Sequence, residues 1–321
     1  MALSSFPVSF LRQGTSYEQV VNSICSRAQC TPTIDIFAPL VLTDILMLPS
    51  IAMVPGRQVI WFDSPVYQVK TPWFFDRNKK FILANTQWTA SVIQRSFGKT
   101  PDVIPYPVVV PDNVKPLPFA ERDGFVSIGT NRLFDRKNMG LLHSTFYRMQ
   151  MRKYLTIVSN ETFSDIRTEY SLTDKWNLLR KAKFYLALSR AEGQGLPPLE
   201  AMAVGTPVIY IDAHTFHELY PEGVGIKIKP SFYEDVIHNF VGSIAIFRLY
   251  QVEEKDLVEA INYAIGIKKE EYENMSQKAI EFVKSKFSLE VVLDKLNDYL
   301  YAVFQKSIEL KDGPKGGPIT L

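Results

Sequence analysis

Two glutamates, Glu192 and Glu200, lie on either side of a glycine-rich turn, with seven residues between them. The turn follows an apolar run, Phe184–Leu188, that is typical of a buried strand, and it leads into a predicted helix that starts at Pro197 or Pro198. The free N–H groups and the dipole at such a helix start would bind an anion such as a diphosphate. Carboxylates suit hydroxyl donors instead, so the combination predicts a nucleotide sugar, in which sugar rings flank a diphosphate. A plainer alternative makes Glu200, in the first helical turn, a partner of the helix dipole and Glu192 a solvated loop residue.

Two cations with four residues between them, Arg132 and Lys137, precede this turn along the chain. They follow a predicted strand, Phe125–Ile128, and precede a helix that is predicted to start at about Asn138. This places them at the carboxyl end of a parallel sheet, where such sheets bind ligands. There they would neutralise the charge that grows on a departing nucleoside diphosphate, a task that a divalent metal can otherwise perform. The alternative is a solvated basic loop.

The segments EGQGLPPLEAMAVGTPVI (residues 192–209) and GTNRLFDRKNMGLL (residues 129–142) resemble signatures of the retaining GT-B glycosyltransferases of family 4, the glycogen-synthase-like group. The resemblance is good over most of residues 80 to 305, whereas the first 75 residues match only in the rhythm of their elements. It implies an α/β fold of the GT-B type, in which two Rossmann-like, doubly wound parallel-sheet domains face a cleft and a C-terminal helix crosses back to the first domain. It also implies a metal-independent, retaining transfer of a hexosyl-type sugar from a nucleotide diphosphate sugar.

The same resemblance assigns roles to residues by position. Arg132 and Lys137 would hold the donor diphosphate. Glu192 would meet the hydroxyls of the donor sugar, and Glu200 would meet those of the ribose. Backbone groups at four positions of the turn would contact the diphosphate: Gln194, Gly195, Leu196 and Pro197.

One segment, WFDSP at residues 61–65, departs from the pattern of that family. The family usually carries a histidine after this first-domain strand, near the transferred sugar, and here Phe62 or Asp63 occupies that position. The four histidines all lie in the second half of the chain: His143, His214, His217 and His238. Either Asp63 takes a related polar role toward the sugar or the acceptor, or activity is altered or lost. The alternative for Asp63 is a turn residue that caps Ser64.

The first domain is expected to supply the acceptor side of the cleft. Gly14 and Thr15 follow a predicted strand, Val8–Leu11, and would touch donor phosphate or acceptor, with simple helix capping as the alternative. Tyr67 lies in a predicted loop, where an aromatic ring could stack on an acceptor, although such rings more often pack in a core.

Short apolar runs alternate with helical patterns on both sides of a proline-rich stretch. Six prolines fall between residues 101 and 118, a density that excludes regular helix and favours an extended linker. The alternation predicts two parallel-sheet domains, and an apolar face of helical period from about residue 253 onwards predicts C-terminal helices. The expected divisions are residues 1–110 for the first domain, 111–289 for the second, about 290–306 for the returning helix and 307–321 for a flexible tail.

The composition excludes several classes of function. With 321 residues the chain suits two domains, and a net charge of +2 leaves no field that would hold nucleic acid. Two cysteines, Cys25 and Cys30, are too few for a disulfide framework, which favours a reducing, cytoplasmic compartment. The most apolar window, residues 34–55, contains two aspartates and three prolines, which favours buried elements over a membrane span. His214 and His217 lack an identifiable third ligand, so no metal site is expected.

Together these observations predict a metal-independent, retaining glycosyltransferase that needs no cofactor beyond its nucleotide-sugar donor. The expected acceptor is a glycan, either lipid-linked or protein-linked. Two alternatives remain: a degenerate nucleotide- or glycan-binding protein that serves as a partner subunit, and a sugar-nucleotide epimerase or phosphorylase on the same scaffold. The nucleobase, the sugar, peripheral contact with a membrane and the oligomeric state stay open.

Overall fold

The computed structural model describes residues 7–10, 20–22, 24–25, 31–33, 40–44, 58–70, 80–129, 134–167, 171–240 and 243–309. Within these ranges the chain forms two parallel sheets, with helices between their strands, and one small antiparallel sheet. Three of the predicted site residues, Gly14, Thr15 and Arg132, lie outside the described residues. The α/β architecture with two parallel sheets is confirmed.

The first sheet has six strands, all parallel. They are β1 (Pro7–Phe10), β2 (Thr31–Thr33), β3 (Leu40–Asp44), β4 (Gln58–Asp63), β6 (Lys80–Ala84) and β7 (Asp102–Val103). Their order across the sheet is β2-β1-β3-β4-β6-β7. The central strand β4 is apolar and buried from Val59 to Phe62, as expected for a parallel strand that is covered on both faces.

The second sheet has five parallel strands. They are β8 (Phe125–Ile128), β9 (Leu155–Val158), β10 (Phe184–Ala187), β11 (Val208–Ile211) and β12 (Gly225–Ile228), in the order β12-β11-β10-β8-β9. The chain moves from β8 outwards to β9 on one side and returns to β10 on the other. The strand order therefore reverses between β8 and β10, and sheets of this type bind ligands beyond the carboxyl ends of the strands at such a point.

Helices follow most strands of the two parallel sheets. They are α1 (Gln87–Phe97), α2 (Met139–Arg148), α3 (Leu172–Lys181), α4 (Leu196–Ala203), α5 (His214–Leu219), α6 (Glu254–Gly266), α7 (Lys269–Phe287) and α8 (Leu289–Glu309), with 3₁₀ turns at Phe119–Glu121 and Arg152–Tyr154. Residues 20–22 and 24–25 are also helical.

Helix α4 begins earlier than the prolines predict, because Gly195 is its N-cap with a φ of 75° in the left-handed region. The helix therefore starts at Leu196, and no acidic residue lies in its first turn. The prediction that Glu200 occupies the first turn is wrong, which also removes its alternative role as a partner of the helix dipole.

Helix α8 returns to the first sheet. Its buried residues Val292 and Leu296 belong to the same apolar cluster as Leu42 of β3 and Trp61 of β4. Burial, together with the nearby carboxylate of Asp102 in β7, raises the pKa of Tyr299 in α8 to about 12. The helix continues to residue 309, so it includes the first residues of the segment that is predicted to be a tail.

A hairpin that the sequence analysis leaves unassigned joins the two parts of the molecule. Its strands, β13 (Phe232–Phe240) and β14 (Ser243–Gln251), are antiparallel, and β14 also pairs with β5 (Gln68–Lys70), which follows β4 in the chain. Ala245, Phe247 and Leu249 of β14 are buried in one cluster with Ile60, Phe62 and Trp88 of the first domain. The hairpin thus leaves the second domain and completes a core of the first.

The cysteines bear on the expected compartment. Cys25 is disulfide-bonded, and the other cysteine of the sequence lies outside the described residues. Cysteine usage therefore gives no support to the predicted reducing compartment. Among the helices that the structure describes, none combines the length and the apolar character that crossing a bilayer requires.

Candidate active site

Glu192 is at the centre of a buried charged cluster beyond the carboxyl end of β10. Its Oε1 lies 3.2 Å from Nη1 of Arg136, and its Oε2 pairs with Nζ of Lys137 and accepts a 3.1 Å hydrogen bond from the hydroxyl of Ser189. The residue is only 7% exposed. Burial would raise the pKa of this carboxyl, but the two cations outweigh burial and hold the pKa of Glu192 well below its usual value. Glu192 is therefore an anion at neutral pH.

The segment between β8 and α2 presents both cations from an unusual backbone. Phe134, Asp135 and Asn138 have φ values of 57°, 44° and 58°, in the left-handed region that favours glycine. The carboxylate of Asp135 accepts hydrogen bonds from the backbone N–H groups of Met139 and Gly140, at 3.0 and 3.3 Å, and so caps α2. Strained backbone of this kind persists where surrounding contacts determine it, and it concentrates at functional sites.

Lys137 reaches Glu192 across a glycine. A Cβ on Gly129 would lie 3.1 Å from Cγ and Cε of Lys137, so the absence of a side chain there leaves room for the lysine stem. Burial lowers the pKa of Lys137, and the attraction of Glu192 opposes that effect. The structure thus brings together two residues that the family resemblance assigns to different parts of the donor.

Arg136 is the second cation of the cluster, and it is not predicted from the sequence. Its Nη1 also donates to the carbonyl oxygen of Ala191 at 2.6 Å, so the guanidinium holds the turn as well as the carboxylate. The available signal was its position next to Lys137 in a loop that is predicted to lie at the carboxyl end of a strand.

Glu200 lies inside α4 and is paired with a different lysine. Nζ of Lys175, in α3, is 2.5 Å from Oε1 of Glu200, and the two side chains are 7% and 8% exposed. Oε2 of Glu200 is buried and has no hydrogen-bond partner among the described residues. A buried acceptor without a donor is costly, and a ligand hydroxyl would satisfy it. Lys175 carried no sequence signal, because it lies alone in a helix whose spacing points to no site.

Asp63 faces this cluster from the first domain. It ends β4, and its Oδ1 accepts a 2.7 Å hydrogen bond from Nδ2 of Asn85, which follows β6. A Cβ on Gly193 would lie only 1.8 Å from the same oxygen, so the carboxylate of Asp63 packs directly on the glycine turn. Its charge also favours the protonated form of Lys137. Asp63 therefore lies at the junction of the two domains.

Neutral polar groups surround Asp63 on the first-domain side. The hydroxyl of Thr86 caps α1 by accepting from the N–H of Thr89 at 3.1 Å, and it lies within hydrogen-bond distance, 3.2 Å, of the carbonyl oxygen of Gly193. The hydroxyl of Thr89 donates to Oδ1 of Asn85 at 2.8 Å. Asn85, Thr86 and Thr89 are all buried. An amide and two hydroxyls thus fix the first-domain side of the cleft against the turn.

The predicted diphosphate turn is tied to the interdomain linker by a side chain. The N–H of Tyr106 donates to Oε1 of Gln194, and Nε2 of Gln194 donates to the carbonyl oxygen of Tyr106, both at 2.8 Å. The Cα of Gly195 packs against the ring of Phe216, which a Cβ would approach to 2.7 Å. Leu196 begins the helix, as described above. Pro197 has no N–H, so of the four predicted backbone positions it alone can donate no hydrogen bond to a phosphate.

His214 is buried beside the cluster in a neutral state. Its Nε2 donates to the carbonyl oxygen of Ser189 at 2.8 Å, and its ring centre lies 6.4 Å from that of Trp88 in α1. Burial lowers the pKa of His214 to about 4. Across the described ranges, no three His, Cys, Asp or Glu side chains are grouped as ligands for a metal ion.

Residues 168–239 match the family model described as Glycosyl transferases group 1. The chain is 37% identical over 174 residues to "Putative glycosyltransferase 41" of Sulfolobus islandicus filamentous virus, in a match that covers 53% of this chain and 51% of the relative. It is 30% identical over 243 residues to "Putative glycosyltransferase ORF313" of Acidianus filamentous virus 1, covering 72% of this chain and 74% of the relative. The chain thus spans about half the length of the first relative and about three quarters of the second.

Solved structures resemble the chain in fold at low sequence identity. Anabaena HepE in complex with UDP-glucose is 14% identical with a TM-score of 0.62, over 92% of this chain and 100% of that protein. Sucrose-phosphate synthase from Thermosynechococcus elongatus is 14% identical with a TM-score of 0.55, over 90% of this chain and 78% of that protein. These likenesses agree with the two facing parallel-sheet domains described above.

Proposed function

Since the chain belongs to the GT-B glycosyltransferases, we propose that it is a retaining, metal-independent member of family 4 that transfers a sugar from a nucleotide diphosphate sugar to a glycan acceptor. The observation that carries the proposal is the cluster at the reversal of strand order, where Glu192 meets Arg136 and Lys137. Anions and cations are both fixed there before any ligand binds. The anion suits the hydroxyls of a donor's sugar, and the cations suit its diphosphate.

The two glutamates suit different parts of that donor. Glu200 keeps one buried oxygen without a partner among the described residues, which suits a ribose hydroxyl. Glu192 is an anion beside the turn that contacts the first domain, which suits the hydroxyls of the sugar to be transferred. The complex of Anabaena HepE with UDP-glucose supports the same class of donor by likeness of fold.

The cations act on the leaving group. In the proposed reaction the bond between the anomeric carbon and the diphosphate oxygen breaks, and charge grows on that oxygen. Lys137 would stabilise this charge by giving up part of its contact with Glu192 and contacting the phosphate instead. The family resemblance assigns the same task to Arg132. Cations in this position would replace a metal ion. The acceptor oxygen then bonds to the anomeric carbon from the same face, and its proton passes to the departing phosphate.

Glu192 is poorly suited to attack the sugar as a nucleophile. Two cations and a hydroxyl occupy its oxygens, so forming a covalent bond to carbon would require those contacts to be given up. A front-face route through an oxocarbenium-like state needs no such nucleophile. Asp63, which contacts the glycine turn from the first-domain side, would favour the positive charge of that state or hold an acceptor hydroxyl.

The test separates binding from transfer with two matched variants. Glu200→Gln should weaken binding of a nucleoside diphosphate and of its sugar alike, whereas Glu192→Gln should spare the bare diphosphate and reduce transfer. Thermal shift with a panel of nucleoside diphosphates measures the first effect, because a ligand at about 100 times its dissociation constant adds about 2.7 kcal/mol to stability. A product assay, run with and without a chelator, measures the second. Equal loss of diphosphate binding in both variants, or transfer that requires an added metal ion, would contradict the proposal.

A second candidate function is a degenerate binding subunit that retains the fold. The aspartate at position 63, where the family usually has histidine, favours it. Binding of a nucleoside diphosphate without any transfer to a panel of glycan, lipid-linked and protein-linked acceptors would support this candidate instead.

A further inference from the structure

Strand β13 is the open edge of the small antiparallel sheet, whose order is β13-β14-β5. It is nine residues long, and its register with β14 runs without a bulge from Phe232 opposite Gln251 to Phe240 opposite Ser243. Proteins usually protect such edges with proline, charged side chains, bulges or short strands, whereas residues 232–240 contain no proline, lysine or bulge, and their only charged side chains are Glu234 and Asp235.

Apolar side chains on this edge are exposed. Phe232, Tyr233 and Ile237 are 60%, 52% and 68% exposed. Such a strand is a template for pairing with another strand, because its outer backbone groups and its side chains on both faces lie at the surface. It is therefore the strongest candidate for an interaction surface in the part of the chain that the structure describes.

The acidic residues of the strand pair with arginines of the same chain. Asp235 accepts two hydrogen bonds from Arg248, both 2.8 Å long, and Glu234 pairs with Arg190. The guanidinium of Arg248 lies 3.8 Å from the ring centre of Tyr67, which holds the hairpin on the first domain. Each acidic group of the edge thus has a basic partner within its own chain, which reduces its repulsion toward an identical edge without abolishing it.

We propose that β13 pairs with β13 of a second copy of this chain, antiparallel about a two-fold axis that passes through Val236. In this register Phe232 lies opposite Phe240 of the second copy, and Glu234 lies opposite His238, each pair occurring twice. The paired residues share a sheet face, as a continuous sheet requires. Two aromatic pairs and two pairs of complementary polarity then support one interface.

Neighbouring registers are poorer. If the two-fold axis passes through Asp235 instead of Val236, Asp235 lies opposite Asp235 of the second copy, and like groups opposite each other destabilise a pair of strands. If the axis passes through Ile237, Glu234 no longer lies opposite His238. The pairing through Val236 produces a six-stranded sheet, β5-β14-β13-β13-β14-β5, which holds the hairpin of each copy against its own first domain.

The register is tested by two variants at one exposed position, Ile237, which lies opposite Asp235 of the second copy. Ile237→Glu places like charges opposite each other twice, whereas Ile237→Lys removes the same apolar side chain but places opposite charges there. Sedimentation velocity over a range of concentrations should show a dimer for the wild type. The dissociation constant of the Glu variant should exceed that of the Lys variant by about tenfold or more. A monomeric wild type at all concentrations, or equal weakening in both variants, overturns the proposal.

Cross-linking provides a second measurement that does not depend on destabilising the dimer. Val236→Cys places the two introduced thiols next to each other, so a short bifunctional thiol reagent should join the copies. Phe232→Cys is the control, because its two thiols would be about 27 Å apart along the strands, at eight residues of about 3.4 Å each. Cross-linking of the Phe232→Cys control to the same extent as the Val236→Cys variant, or of neither, overturns this register.

Discussion

The two sides of the cleft hold their polar groups in different ways. The second-domain side contains two buried carboxylates, each neutralised by lysine: Glu192 with Lys137, aided by Arg136, and Glu200 with Lys175. On the first-domain side, among the contacts that join described residues, the carboxylate of Asp63 accepts a hydrogen bond from the amide of Asn85 and packs on the glycine turn.

This difference indicates that the two domains have different roles in the reaction. Paired charges in a buried setting can exchange partners with a charged ligand, which suits a side that binds a diphosphate and its sugars. A carboxylate that is held by an amide and by close packing on the turn acts through its position, which suits a side that faces the reacting carbon or the acceptor. Removing a cation on the second-domain side should therefore lower donor affinity and turnover together, whereas removing the charge of Asp63 on the first-domain side should lower turnover.

The largest effect is expected for Lys137→Ala. Loss of a preorganised charge near a leaving group costs on the order of 100- to 1,000-fold in turnover, and donor affinity should fall as well. Steady-state kinetics per folded molecule is the measurement, because an unpaired buried Glu192 also lowers stability. Lys227→Ala is the matched control, since Lys227 pairs with Glu222 at the surface of the same domain. Turnover of Lys137→Ala within a few fold of the wild type would contradict the role of Lys137 at the leaving group.

The next effect is expected for Gly193→Ala, which tests the contact between the two sides. The added Cβ overlaps the carboxylate of Asp63, so Asp63 must move, and a displacement of about 1 Å near the chemistry can cost about 100-fold in rate. The double variant with Asp63→Ala should be no slower than Asp63→Ala alone, because the overlap is then gone. If the rate losses of the two single variants multiply in the double variant, Gly193 does not act through Asp63.

A smaller effect is expected for Asp63→Asn, which keeps the shape and removes the charge. Donor affinity should stay within a few fold, while turnover falls by at least about tenfold, a barrier increase of about 1.4 kcal/mol. Melting temperature and turnover should be measured on one preparation. If melting temperature falls and turnover does not, Asp63 is a structural turn residue.

The smallest effect concerns His214, which lies between the two sides as a neutral ring. The unfolded chain takes up a proton at this residue below about pH 6.5, whereas the folded chain does so only near pH 4. The contribution of His214 is therefore fully present above pH 6.5, and the free energy of unfolding falls as pH is lowered through this window. The free energy of unfolding, measured with urea at several pH values, should lack this part of its pH dependence in His214→Phe. His217→Phe, on the same helix but exposed, should keep it. An equal pH dependence in the wild type and both variants would contradict the prediction.

Much of the fold could be predicted from local pattern. The strand Phe125–Ile128 has the predicted bounds, the strand predicted at Phe184–Leu188 ends one residue earlier, and α2 begins within a residue of its expected start, because apolar runs and helical spacing are local properties. The start of α4 differs from the prediction, which relied on the tolerance of proline in a first helical turn. The first residue of the helix is determined instead by Gly195, whose left-handed backbone makes it the N-cap. The hairpin was missed although β14 alternates between buried and more exposed residues, since no turn signal of the usual two-residue type separates its strands.

The sequence by itself determined the two parallel sheets and the edge at which the chemistry lies, because the carboxyl ends of parallel strands meet at one edge of a sheet. It placed Glu192, Glu200, Lys137 and Asp63 at such ends or just beyond them. Only the tertiary structure decided which groups meet: Lys175 with Glu200, Arg136 with Glu192, and Asp63 with Gly193. Those contacts join segments that lie between 25 and 130 residues apart, and they depend on how helices and domains pack, which no local period records.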